Sequence, residues 1–194
     1  MNSAMISPLV VGYLLGSIPF GLVLTRLAGK GDIRELGSGN IGATNVLRTG
    51  SKGLAALTLL LDVAKGATAV LVARHWWPGG EVAAAAGALV GHCYPLWLKF
   101  RGGKGVATLL GVLIGLQPMA ALVFALVWVG LLLVVRISSA AGICSAMSAP
   151  LTIAIAGPHT LLLPVAAFAA LVVAKHRANI TRLIAGTEPR VGRS

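Results

Sequence analysis

Residues 37–48, Gly-Ser-Gly-Asn-Ile-Gly-Ala-Thr-Asn-Val-Leu-Arg, gather polar donors in a chain that is otherwise mostly hydrocarbon. Gly37, Gly39 and Gly42 let the backbone turn sharply and aim successive N–H groups at one point. Ser38, Asn40, Thr44 and Asn45 add neutral donors, and Arg48 adds a fixed charge in a forked geometry. That set suits a phosphate or a developing oxyanion. It does not suit a lipid-facing surface. The same letters satisfy G-x-G-x-x-G, but the dinucleotide fingerprint needs a preceding strand in a βαβ unit, and here a long apolar run precedes it. The anion chemistry survives without that fold.

Further candidates stand in later polar segments. Lys104 lies between Gly103 and Gly105, Ser139 lies in the segment 136–142, and His176 and Asn179 lie in a basic tail from 175 to 194. Taken singly, Lys104 is a snorkelling lysine, Ser139 a helix cap and His176 one more charge; Asn40 and Asn45 alone suit helix caps. Flanking glycines that let the backbone close on a ligand favour phosphate contact at Lys104. His92, just ahead of Tyr94-Pro95, is either a hydrogen-bonded interfacial histidine or a base or substrate contact. Asp62 and Lys65 share a helix face and are expected to pair. The acidic residues are Asp32, Glu35, Asp62, Glu81 and Glu188, and no two suggest a dyad or a magnesium cage. There is no Ser-His-Asp set and no His-x-x-x-x-Asp motif. No metal and no other cofactor is expected, so catalysis on anionic substrates would rest on positioning and electrostatics.

The elements that must position these residues are membrane helices. Of 194 residues, 57% are hydrophobic and only 11% charged, with a mean hydropathy of +0.89, whereas soluble domains carry about 25% charged residues. The runs lack dyad alternation, which favours helices over a barrel. We expect an all-α polytopic membrane protein with seven transmembrane helices, at 5–27, 53–73, 81–98, 106–116, 119–135, 143–156 and 161–174, forming one domain over 1–194. The run 106–116 would be about 16 Å long as a helix, short of the roughly 30 Å hydrocarbon core. Its start would bring N-terminal amides near membrane depth. Gly12, Gly16, Ser17, Pro19 and Gly21 predict close packing and a kink in the first span.

The net charge of +11 does not mark a nucleic-acid binder, because the basic residues flank the apolar runs. Arg26, Lys30, Arg34, Arg48, Lys52, Lys99, Arg101, Lys104, Arg136 and the tail fall on one face of a seven-span topology, against Arg74 on the other. The N-terminus is therefore expected outside and the C-terminus in the cytoplasm. Cys93 and Cys144 read as buried thiols, and no cleavable signal peptide is expected.

Gly37-Ser38-Gly39-Asn40-Ile41-Gly42-Ala43-Thr44-Asn45-Val46, with Gly91-His92-x-Tyr94-Pro95 and Phe100-x-Gly102-Gly103-Lys104-Gly105-Val106-Ala107-Thr108, resembles the bacterial acyl-phosphate:glycerol-3-phosphate acyltransferases (the PlsY family). Leu61-Asp62-x-x-Lys65-Gly66 and His176-Arg177-x-Asn179-Ile180-x-Arg182-Leu183 fit the same pattern, so the resemblance spans nearly the whole chain. It implies a seven-helix enzyme of the bacterial inner membrane, with its site facing the cytoplasm. Its reaction moves a fatty acyl group from acyl phosphate to the 1-hydroxyl of glycerol 3-phosphate, giving lysophosphatidic acid and phosphate, the first committed step of phospholipid synthesis. Ser38, Asn40, Thr44 and His92 are the implied catalytic residues. Gly37, Gly39, Gly42, Asn45, Arg48, Lys104, Ser139, His176 and Asn179 are the implied substrate contacts. One departure stands out: where the family reads Ser-Leu-Ala-Ser, this chain has Ser139-Ala140-Ala141-Gly142 and lacks the second hydroxyl.

Acyl phosphate is an activated mixed anhydride, so no nucleophilic residue is needed, and a substrate phosphate is expected to take the proton. A monomer embedded in membrane lipid is expected, with no nucleic-acid partner. The competing class is a transporter for an organic phosphate, which should offer a polar path from both sides of the membrane. Here the polar groups cluster on one face.

Overall fold

A computed structural model describes residues 3–192, and every regular element among them is helical. The helices are α1 (Ser3–Gly16), α2 (Phe20–Leu27), α3 (Ala43–Leu47), α4 (Lys52–Trp76), α5 (Glu81–Cys93), α6 (Val106–Leu116), α7 (Pro118–Val135), α8 (Ser138–Ala156), α9 (Leu162–Lys175) and α10 (Arg177–Ile184). They form two compact units, one running to Leu116 and one starting at Gln117.

In lipid, apolar side chains gain little by leaving their surroundings, so helices associate through close packing of small residues. The first unit follows that rule. A Cβ on Gly12 or Gly16 of α1 would overlap the backbone of Ala84 or Ala88 on α5, and one on Gly87 or Gly91 would overlap Leu9 or Tyr13. Gly66 of α4 meets Thr108 of α6, and Gly111 of α6 meets Val63 of α4, in the same way. Leu22 of α2, Ile33, Ile41, Val46 of α3 and Ala55 at the start of α4 form a small buried cluster, with Leu47, Leu54 and Leu98 against it. It carries the loop 28–42. In the second unit α8 packs against both α7 and α9.

Among the described residues, four segments are long and apolar enough to cross a bilayer: Met5–Leu27, Lys52–Trp76, Pro118–Val135 and Ser138–Ala156. A fifth counts if the pair His159–Lys175 and Arg177–Ile184, bent by 62°, is one span. The expected kink in the first span lies at residues 17–19, where Pro19 supplies no N–H to continue α1. The helix expected over 81–98 stops at Cys93, because Pro95 bars the helical conformation at Tyr94. The helix expected to start at about 143, or nearer 140, starts at Ser138. Within the basic tail, residues Arg177–Ile184 form α10, with Asn179 turned inward. Cys93 is buried as expected, but Cys144 points outward from α8, so the expectation of two buried thiols fails for it. A thiol behaves as a small apolar group and is at home on a helix face turned to lipid.

Candidate active site

In the first unit the loop that leads into α3 is closed by Asn45, which is 2% exposed. Its Nδ2 donates to the carbonyls of Ile33 (2.6 Å), Asn40 (2.8 Å) and Leu36 (3.1 Å). Its Oδ1 accepts from the Ser38 amide at 3.3 Å and from the Arg48 guanidinium at 3.2 Å. One buried amide thus fixes both the loop and the charge beside it. Asn40 Oδ1 accepts from the Gly42 amide at 2.9 Å, a local turn that starts α3. Gly37 (φ +52°) and Gly39 (φ +66°) take the left-handed conformation, and a side chain at Gly37 would collide with Arg48.

The sequence suggested a cradle of backbone amides here. The amides of Ser38, Gly39 and Gly42 are instead satisfied within the loop, by Asn45, Leu36 and Asn40. What the loop presents outward is the exposed trio Ser38, Thr44 and Arg48. Nearby, Asp32 receives Arg34 at 2.5 Å and Arg26 at 2.8 Å. The hydrogen bonds from Arg34 hold its carboxyl well below the usual carboxylate range, against the opposing effect of burial. One of the two positive charges counted toward orientation here is thereby offset in place, and the cluster keeps a net positive charge.

The second loop of this unit sits on His92. Lys99 and Phe100 both take positive φ (52° and 61°), which folds the chain back after the turn at 96–98. The Gly103 amide then donates to the His92 carbonyl at 2.9 Å, and the Gly102 amide to that of Cys93 at 3.3 Å. Only glycine fits at 103, because a Cβ there would occupy the place of His92 Nε2. Lys104 follows, half-buried. His92 is 4% exposed, and its Nδ1 lies 3.8 Å from Asp62 Oδ1. The expected Asp62–Lys65 pair is present at 2.7 Å.

In the second unit, Ser139 and Asn179 meet on a residue that the motifs had not singled out. Ser139 Oγ donates to Glu188 Oε1 at 2.7 Å, Asn179 Nδ2 donates to the same oxygen at 2.5 Å, and Arg182 Nε donates to Oε2 at 2.7 Å. Burial pushes the Glu188 carboxyl up, but the three donors outweigh it and leave the group below its ordinary range. Ser139 therefore does not cap α8, although it stands in the first turn. His176 is 2% exposed and its Nδ1–H donates to the Val172 carbonyl at 2.7 Å, which fixes the ring at the bend between α9 and α10. The one available signal for Glu188 was its spacing of six residues from Arg182 beyond a helix end, which is weak.

The family model described as glycerol-3-phosphate acyltransferase matches residues 6–186. A glycerol-3-phosphate acyltransferase of Mesorhizobium japonicum is 54% identical over 192 residues, covering 99% of this chain and 98% of its own. That of Brucella ovis is 52% identical over 191 residues, covering 98% and 95%. Among solved structures, the fold is similar to that of PlsY, an integral membrane glycerol 3-phosphate acyltransferase. Its glycerol 3-phosphate form gives a TM-score of 0.91 at 40% identity, over 98% of this chain and 96% of that one. Its lysophosphatidic acid form gives 0.89 at 39% identity, over 97% and 95%.

Proposed function

The chain belongs to the glycerol-3-phosphate acyltransferase family, and from that premise we propose that it moves a fatty acyl group from acyl phosphate to the 1-hydroxyl of glycerol 3-phosphate. The products are lysophosphatidic acid and phosphate. The observation that carries this reading is the loop closed by Asn45, which holds Arg48 in orientation beside the exposed hydroxyls of Ser38 and Thr44. A cation and neutral donors on a preorganised backbone suit a substrate whose charge grows at a carbonyl oxygen and a departing phosphate.

In this reading Ser38, Asn40 and Thr44, with the turns at Gly37, Gly39 and Gly42, serve the acyl-phosphate headgroup. Arg48, Lys104 and His176 serve the phosphate of glycerol 3-phosphate. Asn45 acts through Arg48 rather than by touching substrate, because both ends of its amide are engaged within the loop. Ser139 gives its proton to Glu188, so toward a ligand its oxygen can only accept, which fits a glycerol hydroxyl. Asn179 keeps a second N–H and a carbonyl for the same purpose. The glycerol 1-hydroxyl oxygen attacks the acyl carbon, the carbon–oxygen bond to phosphate breaks, and the hydroxyl proton leaves on a phosphate oxygen of the acyl donor. No protein nucleophile is required, and none of the acidic residues is placed in the role of base.

The charge distribution supports seven crossings with the N-terminus outside and the site facing the cytoplasm of a bacterial inner membrane, as a monomeric single domain. On that account α5 with the turn after it, and the short α6, complete the count beside the longer spans. The test is phosphate release from palmitoyl phosphate by purified protein, with and without glycerol 3-phosphate, beside palmitoyl-CoA as donor. Release that depends on glycerol 3-phosphate and yields lysophosphatidic acid is expected. Turnover with the CoA donor alone would replace the acyl donor in this reading, and no turnover by folded protein would end it.

A further inference from the structure

Asp62, Lys65 and His92 form a buried polar set, an ion pair with a histidine beside it, that the reaction above leaves unused. They are 3%, 4% and 4% exposed, with Asp62 Oδ1 at 2.7 Å from Lys65 Nζ and 3.8 Å from His92 Nδ1. Asp62 and Lys65 belong to one helix, α4, so their mutual pair restrains nothing between elements. What the pair does for the fold lies in its outward contacts. Lys65 Nζ donates to the Ile18 carbonyl at 2.8 Å, in the break between α1 and α2, and stands 5.7 Å from the centre of the Phe20 ring. Asp62 faces His92 at the end of α5.

His92 passes the restraint on. Its carbonyl accepts from the Gly103 amide at 2.9 Å, and its ring fills the space where a Cβ of Gly103 would stand. The next residue is Lys104. With Nδ1 toward Asp62 and Nε2 toward Gly103, both ring nitrogens face protein. We infer that Asp62, Lys65 and His92 are positioning residues that set the 101–105 loop, and with it Lys104, for the phosphate of glycerol 3-phosphate. The inference rests on the assignment of Lys104 to that substrate, and it gives His92, which the family resemblance implied to be catalytic, a role in loop placement.

The test separates placement from mere folding. Removing one partner of a buried pair leaves an uncompensated charge, whereas replacing both with apolar groups of similar size is tolerated. Asp62→Leu alone is therefore expected to unfold at lower temperature in detergent, and D62L/K65M to recover most of that loss. Placement predicts that D62L/K65M still shows a KM for glycerol 3-phosphate raised roughly tenfold, with the KM for acyl phosphate within about twofold of the wild type. Recovered stability with wild-type values of both constants would overturn the proposal, as would an equal rise in both. Should the double variant not fold, His92→Gln decides. A selective rise in the glycerol 3-phosphate KM supports placement; a fall confined to kcat makes His92 a base, and unchanged kinetics give it no role, either of which overturns the proposal. Failure of the functional reading itself is distinguishable, because the wild type would then show no turnover dependent on glycerol 3-phosphate.

Discussion

Glu188→Ala removes the acceptor on which Ser139, Asn179 and Arg182 converge. Arg182 is 39% exposed at its side chain, so its share is that of a surface ion pair, about 0–1 kcal/mol. Ser139 and Asn179 are each 5% exposed, and a buried donor left without its partner costs about 1–3 kcal/mol. Water entering the vacated space offsets part of this, which leaves a net loss of about 2–4 kcal/mol. The loss is local to the returning tail, where the Val191 amide donates to the Arg136 carbonyl at 2.7 Å. If that amide exchanges through local opening, its exchange should speed up by about 30-fold to a thousandfold. Hydrogen–deuterium exchange on a peptide containing Val191, compared between wild type and variant in the same detergent, reads this directly. An unchanged rate at Val191 would refute the reasoning, since the three hydrogen bonds would then not be what docks the tail.

Two further outcomes follow from the packing and the charges. Gly111→Ala places a methyl group on the Val63 carbonyl and should cost about 1–3 kcal/mol, lowering the unfolding temperature in detergent; an unchanged value would mean that α4 and α6 can separate freely. For Asp32, the folded carboxyl lies below its unfolded value, so its contribution is present at pH above the ordinary carboxylate range and is lost as pH falls through and below it. Asp32→Asn should therefore cost about 1 kcal/mol at neutral pH, with the gap to wild type closing as the medium is acidified. A gap that persists in acid would point to hydrogen bonding alone.

Much of the helical layout was legible because an apolar run of bilayer length has few other fates. The kink at 17–19 was legible as well, since a proline among glycines marks it. The roles within the first loop were less so. Nothing in the letters distinguishes Asn45, which turns inward and satisfies its amide on three carbonyls, from Ser38, which faces out. That difference depends on where Ile33, Leu36 and Asn40 end up in space. The Asp62–Lys65 pair follows from helical spacing, but its link to His92 joins residues 30 positions apart and needs the fold. The role of Glu188 depends on the chain turning back after α10, which composition does not specify. Cys144 shows the same limit, because in a membrane helix an apolar residue fits the outer face as well as the inner one.

The brevity of α6 bears on how the protein is made. Its 11 residues reach about 16 Å, too little to partition into a bilayer as an independent segment. Its glycine and small side chains lie against α4, which precedes it in the chain. An inserting α6 would thus find its partner already synthesised, and its entry into the membrane becomes an act of docking rather than of hydrophobic partition. A defect in the α4 face should then appear first as chains degraded during biogenesis, before any loss of turnover could be measured.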